Sequence, residues 1–160
     1  ANINVFDMQN SVETLAGMGT TIVLALIADG TAHIVHAGDS RAYHLQNGTL
    51  TQVTKDHSIV QQLIDSGTIT EEQARYHPQR NLITRAVGTE KYVLSDSVST
   101  ELSSGDYILI CSDGLSSYVE EKEIKDILEN TKTSDIAPKL IEAANNSGGK
   151  DNVTVVVIKA

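Results

Sequence analysis

Two dipeptides, Asp29-Gly30 and Asn47-Gly48, constrain the front of this sequence more than any other feature. Each lies between two runs rich in apolar and β-branched residues. A two-residue turn with positive φ at both positions is the connection that right-twisted antiparallel strands favour, and Asp-Gly and Asn-Gly tolerate it best. Thr20–Ala28 is therefore expected to meet Thr31–Ala37, and Arg41–Gln46 to meet Thr49–Thr54. Helical signals follow. Val60, Leu63 and Ile64 share one face of a short helix that Gly67 can close, and Thr70-x-x-Gln73 offers a capping box to a second that Pro78 ends. Asn81–Val87, Val93–Leu102 and Tyr107–Cys111 read as further strands, the last apolar on both faces and so central. Ser117-x-x-Glu120 predicts a cap for a helix burying Ile124, Ile127 and Leu128. Ser134 predicts another for a helix burying Ile136, Ala137, Leu140, Ile141 and Ala144, with Pro138 in its first turn. Gly148-Gly149 stops that helix before a last strand, Asn152–Ile158. Hairpins segregated from helices give an α+β class, with helices on the outsides of an antiparallel β-sandwich in four layers, α-β-β-α. The 160 residues suit one domain.

Twelve basic against 21 acidic side chains leave a formal charge of −9, and no basic cluster offsets it. A nucleic-acid surface or an anionic membrane would need one, so neither is expected as a partner. The longest apolar run, Ile22 to Ala28, is far short of the ~18 residues of a membrane helix. The expectation is a cytoplasmic protein. The lone Cys111 forms no internal disulfide and supplies no thiolate cage, so a metal site would be built from oxygen or imidazole.

Three aspartates stand at strand ends among small neighbours: Asp39 in Gly-Asp-Ser-Arg, Asp113 in Ser-Asp-Gly, and Asp151 in Gly-Lys-Asp-Asn. The first two follow strands and the third precedes one. If the last strand runs antiparallel to its neighbours, all three fall on one rim. Carboxylates gathered there repel unless a cation holds them, and an oxygen-only set suits Mg²⁺ or Mn²⁺. Each aspartate taken singly also reads as an ordinary turn residue. His33, His36 and His44 read as packing residues of strands, and Cys111 as a small buried hydrophobe.

Gly17-Met18-Gly19-Thr20-Thr21, His36-Ala37-Gly38-Asp39-Ser40-Arg41-Ala42-Tyr43, Asp56-His57-Ser58, Ser112-Asp113-Gly114-Leu115 and Gly148-Gly149-Lys150-Asp151-Asn152-Val153-Thr154 occur in a fixed order. In that order they resemble the metal-dependent serine/threonine protein phosphatases of the type 2C, or PPM, family, in its bacterial branch. The resemblance runs from about Gly17 to the C-terminus. It implies a β-sandwich flanked by helices, with two core Mn²⁺ or Mg²⁺ ions at one edge. Asp113 and Asp151 resemble ligands of the core metals, and Asp39, with Asp113, a ligand of a third. The implied reaction is hydrolysis of phosphoserine or phosphothreonine in proteins by a metal-activated water, with no side-chain nucleophile. Functionally opposed serine/threonine kinases are the implied counterparts. The segment from about 58 to 84 resembles the family's flap beside the site, where Arg75, His77 and Arg80 face either substrate or solvent. His57 receives no chemistry.

The family's opening Arg-x-x-Asn-Glu-Asp strand and Asp-Gly-Met-Gly-Gly turn do not occur in these residues. They would supply an arginine for phosphate, a bridging aspartate and a carbonyl ligand. The chain thus resembles the C-terminal portion of a phosphatase domain, N-terminally incomplete. Such a chain is expected to be inactive alone, or to have its missing strands supplied by another chain. The alternative is a noncatalytic phosphatase-like binding or regulatory module. A Gly-Asp-Ser esterase built on Ser40 lacks the Asp-x-x-His base, and Asp113-Gly114 lacks the ligand spacing of an EF-hand.

Overall fold

Asp29 and Asn47 adopt φ values of 48° and 49°, and the glycines after them 70° and 72°, so both hairpin turns have the handedness their dipeptides predict. The computed structural model describes all 160 residues. Strands β1 (Ile22–Ala28) and β2 (Thr31–Ala37) flank the first turn, β3 (Arg41–Gln46) and β4 (Thr49–Gln52) the second. Further on come β5 (Asp96–Glu101), β6 (Tyr107–Cys111) and β7 (Val155–Lys159). They form two sheets, ordered β1-β2-β5 and β4-β3-β6-β7. The helices are α1 (Asn2–Ser11), α2 (Ile59–Asp65), α3 (Glu71–Arg75), α4 (Asp113–Ser116), α5 (Glu121–Asn130) and α6 (Thr133–Asn146). The class is α+β with antiparallel pairing, as expected.

The chain divides into two compact units. One comprises 1–24, 35–39 and 55–97, and the other 25–34, 40–54 and 98–160. In the second unit β6 lies between β3 and β7, paired antiparallel to both, with Tyr43 opposite Leu109 and Leu109 opposite Val157. The centrality read from its two apolar faces holds. Tyr43, Leu109, Leu115, Ile124, Leu128, Ile136 and Leu140 are fully buried in one core. That core packs the apolar faces of α5 and α6, whose spacing of three and four residues the sequence displays. Burial pushes the Tyr43 hydroxyl up to about 12, against the Arg41 guanidinium that bonds it at 3.1 Å.

Several local expectations are corrected. Asn81–Val87 is not a strand. It makes only the isolated bridges Ser58↔Ile83 and Thr20↔Val87, because its β-propensity finds no continuous neighbour to pair with. Val93–Leu102 shortens to β5. Ser117 caps nothing, since its N–H closes the single turn of α4 on the Asp113 carbonyl at 2.9 Å, and α5 starts after Glu120. Helix α6 starts one residue before Ser134, whose hydroxyl bonds Asp135 Oδ1 instead, and Pro138 falls beyond the first turn. The Thr70–Gln73 capping box is present in full.

One buried polar group anchors the second unit. Asp106 Oδ2 accepts from His44 Nε2 (3.0 Å), Gln46 Nε2 (2.8 Å) and the Ser103 N–H (2.8 Å), while His44 Nδ1 meets Thr100 Oγ1 at 3.0 Å. Burial opposes ionisation of this carboxyl, but the Ser103, Gln46 and His44 donors outweigh it and hold it below the usual aspartate range. Its stabilising contribution is therefore complete above the ordinary aspartate value and lost as pH falls through the depressed one. Asp106→Ala strands three donors, and the expected cost is about 2–3 kcal/mol. Thermal melts at pH 7 should show a fall of roughly 4–12 °C that shrinks in acid.

Candidate metal centre

Cys111 at the end of β6 pairs with Val155 at the start of β7, so the chain leaving one strand and the chain entering the other share an end of the sheet. Ser112 ties them. Its N–H donates to the Thr154 carbonyl (3.0 Å), its hydroxyl donates to the Asn152 carbonyl (3.2 Å), and the Thr154 N–H donates to that hydroxyl oxygen (3.0 Å). Gly114 then packs directly on Asn152: a Cβ there would overlap the Asn152 carbonyl oxygen and stand 2.9 Å from its carbon. Between these two contacts sits Asp113, half-buried, and across from it Asp151, exposed, whose Oδ1 accepts the Asn152 N–H at 2.7 Å. The Asp113 carboxyl is pushed up, first by burial and then by the negative charge of Asp151. The Gly114 and Asp113 N–H groups and the Arg41 guanidinium act the other way.

The antiparallel pairing of β6 with β7 puts the segments that carry Asp113 and Asp151 at one end of their sheet. Their arrangement fits a divalent ion on its own evidence. Burial and then the charge of Asp151 raise the Asp113 carboxyl, the donors are hard oxygens, and a bound cation would relieve the cost of keeping Asp113 ionised.

Asp39 belongs to the first unit, half-buried just past β2. The elbow before it is held on every side. Gly38 is buried at φ 115°, and a Cβ there would lie 2.6 Å from Thr21 Cβ. The His57 N–H donates to the Gly38 carbonyl at 3.0 Å, and the Gly38 N–H donates to His57 Nδ1 at 3.1 Å. His57 Nε2 lies 3.2 Å from Asp96 Oδ2, and Arg85 Nη1 donates to Asp96 Oδ1 at 2.7 Å. His36 stacks on the His57 ring, centroids 4.6 Å apart. Burial, then the His57 ring beside it, lower the His36 pKa. His36 packs on the ring of His57, and His57, which received no chemistry from the sequence, is engaged at both ring nitrogens.

The flap residues are less engaged. Arg75 and Arg80 are exposed, and His77 Nδ1 accepts the Gln79 N–H at 3.2 Å in a local turn. Cys111 is buried, as expected. Arg41 escaped the reading of candidate site residues, although it closes the Gly-Asp-Ser-Arg run and its charge bears on Asp113.

The sequence model for "Protein phosphatase 2C" matches residues 7–151 of this chain. The chain belongs to the protein phosphatase 2C family. It is 44% identical over 146 residues to the serine/threonine phosphatase stp of Listeria welshimeri, a match covering 91% of this chain and 58% of that protein. The chain therefore spans about three fifths of the length of that relative. Among solved structures, serine/threonine phosphatase Stp1 from Staphylococcus aureus superposes with a TM-score of 0.95 at 38% identity, covering 99% of this chain and 63% of that one. The catalytic domain of serine threonine protein phosphatase PstP, in complex with two manganese ions, superposes at 0.85 and 42% identity, covering 98% and 65%. The expected fold and family stand, and the PstP catalytic domain holds manganese, one of the two metals expected from the resemblance. No helix is long and apolar enough to cross a membrane.

Proposed function

We propose that this chain carries part of the metal centre of a protein phosphatase that hydrolyses phosphoserine and phosphothreonine in proteins. The observation that carries the reading is that the chain segments bearing Asp113 and Asp151 share one sheet end, with the Asp113 carboxyl raised first by burial and then by the charge of Asp151. Asp113 and Asp151 would hold core Mn²⁺ or Mg²⁺ ions, and Asp39 is proposed as a ligand of a third. Ions bound there supply charge to clamp phosphoryl oxygens and to acidify water. The chain's own part is to present the carboxylates ionised and fixed: Ser112 and Gly114 set the spacing, and Arg41 biases Asp113 toward its charged form. Phosphoproteins are the proposed substrates, and the kinases that make them the counterparts. Isothermal titration of the 160-residue chain with Mn²⁺ tests the centre. Heat that Asp113→Asn and Asp151→Asn each remove is the expected result; no heat from the unsubstituted chain would favour the noncatalytic module.

The 160 residues alone are proposed to lack turnover. The Arg-x-x-Asn-Glu-Asp and Asp-Gly-Met-Gly-Gly groups are not among them. Ile22, Leu24 and Leu26, which share one face of the edge strand β1, are 39–59% exposed, an apolar row suited to cover by further strands. With Mn²⁺ present, the purified chain is expected to release no phosphate from a phosphothreonine peptide above the metal-only blank. Sustained release would overturn this part of the proposal without touching the metal centre.

A further inference from the structure

We propose that His57 is a positioning residue for Asp39, gripping the Gly38-Asp39 elbow through a ring tautomer that Asp96 and Arg85 impose. This rests on the reading of Asp39 as a metal ligand. Gly38 is bound by His57 through both its peptide groups, one by the histidine backbone and one by the ring. A backbone N–H aimed at Nδ1 needs a lone pair there, so the ring proton sits on Nε2. That nitrogen faces Asp96 Oδ2, and Arg85 occupies the other carboxylate oxygen. The 3.1 Å separation of Arg85 Nη1 from His57 Nε2 is then a contact between two donors sharing one carboxylate. The opposite tautomer would set the buried Gly38 N–H against a second N–H with no other acceptor for it, a penalty the Asp96 carboxylate prevents.

The same tautomer decides what the cluster is not. Ligand atoms of His36, His57 and Asp96 lie within 4.8 Å of one another. A cation among them would need the Nε2 lone pair of His57, forcing the proton onto Nδ1 and breaking the bond to Gly38. The array Arg85–Asp96–His57–Gly38 is therefore a hydrogen-bonded support, and His36 packs the ring face from behind. Its product is a fixed peptide plane one residue from Asp39, at a φ no other residue type adopts without strain. Partners of this kind behind metal ligands typically change affinity by about 10–100-fold when removed.

The test compares two substitutions in the 160-residue chain. In His57→Asn the side-chain oxygen reaches the place of Nδ1 and still accepts from Gly38; in His57→Gln the amide reaches the place of Nε2, keeping Asp96 and abandoning Gly38. The readouts are the ring tautomer by ¹⁵N NMR and the Mn²⁺ concentration that half-broadens the Asp39 amide resonance. The expected results are an Nε2–H ring, an Asn variant within about threefold of the unsubstituted chain, and a Gln variant needing at least about tenfold more Mn²⁺. A purely structural histidine would move both variants together in step with their melting temperatures, and that result, or an Nδ1–H ring, overturns the proposal. Should both variants unfold, Asp96→Asn decides, since its side chain is 53% exposed and its loss leaves the core intact. It should yield mixed tautomers and about tenfold weaker broadening, while an unchanged response overturns the proposal. Asp39→Asn separates the two readings: if Mn²⁺ affects this variant and the unsubstituted chain alike, Asp39 is no ligand and the positioning role falls with it. If Asp39→Asn weakens the response but His57→Gln does not, only the positioning role falls.

Discussion

Asp113→Asn is expected to abolish Mn²⁺ binding by the chain and, under the proposed function, to lower kcat/KM at least about a hundredfold wherever the complete phosphatase domain is assayed, while raising the melting temperature of the metal-free protein. The opposed signs follow from one cause. Asp113 ionises against burial and against Asp151, so its folded-state pKa lies above the unfolded value. A carboxyl raised in this way costs stability above its unfolded pKa, and the cost disappears as pH falls below it. Asparagine keeps the shape and discards the charge, which removes the cost at pH 7 and the ligand together. Loss of charge stabilisation worth several kcal/mol at a metal-assisted transition state accounts for the kinetic loss. Calorimetric melts with and without Mn²⁺ check both halves. A variant that melts lower without metal, or still gains stability from it, would show that repulsion between the two aspartates is not what the ion relieves.

The parts of this fold legible in the sequence are those decided within a few residues. Asp29-Gly30 and Asn47-Gly48 demand positive φ whatever surrounds them, so the first four strands follow. Thr70 and Gln73 satisfy each other's backbone across one turn, and their capping box appears as written. Ser117 and Ser134 carry the same local signal and fail, because Ser117 is consumed in closing α4 and α6 begins one residue early. Asn81–Val87 fails for a different reason: strand propensity is realised only where a neighbouring strand offers a ladder.

The candidate site divides the same way. Asp39, Asp113 and Asp151 could be picked out because each sits in a short run whose order along the chain carries a resemblance, and the antiparallel pairing of β6 with β7 then brings the latter two together. His57, Arg85 and Asp96 form an array from positions 28 and 11 residues apart, one in a short family-like run and the other two in stretches that read as strands. No local pattern encodes it. It exists only once Gly38 is folded against His57, at 19 residues' separation. The candidate ligands are thus written locally, and the support proposed for Asp39 is written in tertiary contact.

Gly114→Ala is expected to weaken both the fold and metal binding, through sterics alone. Gly114 lies in α4 with ordinary helical backbone, and alanine suits that conformation better than glycine. On propensity the change should stabilise. The added methyl instead meets the main-chain carbonyl of Asn152, which cannot rotate aside as a flexible side chain would, and Val153 Cγ2 at 3.3 Å crowds it further. Relief requires the 151–154 segment to lift from α4, which strains the Ser112–Asn152 and Ser112–Thr154 bonds. Overpacking of this kind costs about 1–3 kcal/mol, a fall of roughly 2–12 °C in melting temperature for a chain of this size. Lifting the segment also carries Asp151 away from Asp113, so Mn²⁺ affinity should fall at least about tenfold, and the NMR resonances of residues 112–114 and 151–154 should shift together. Gly67→Ala is the control for backbone strain at a remote site, where φ is 70° and a Cβ would meet nothing. It should cost about 1–2 kcal/mol of stability and leave Mn²⁺ affinity unchanged. Equal metal affinity in both variants would show that the close packing of Gly114 on Asn152 does not set the spacing of the two carboxylates.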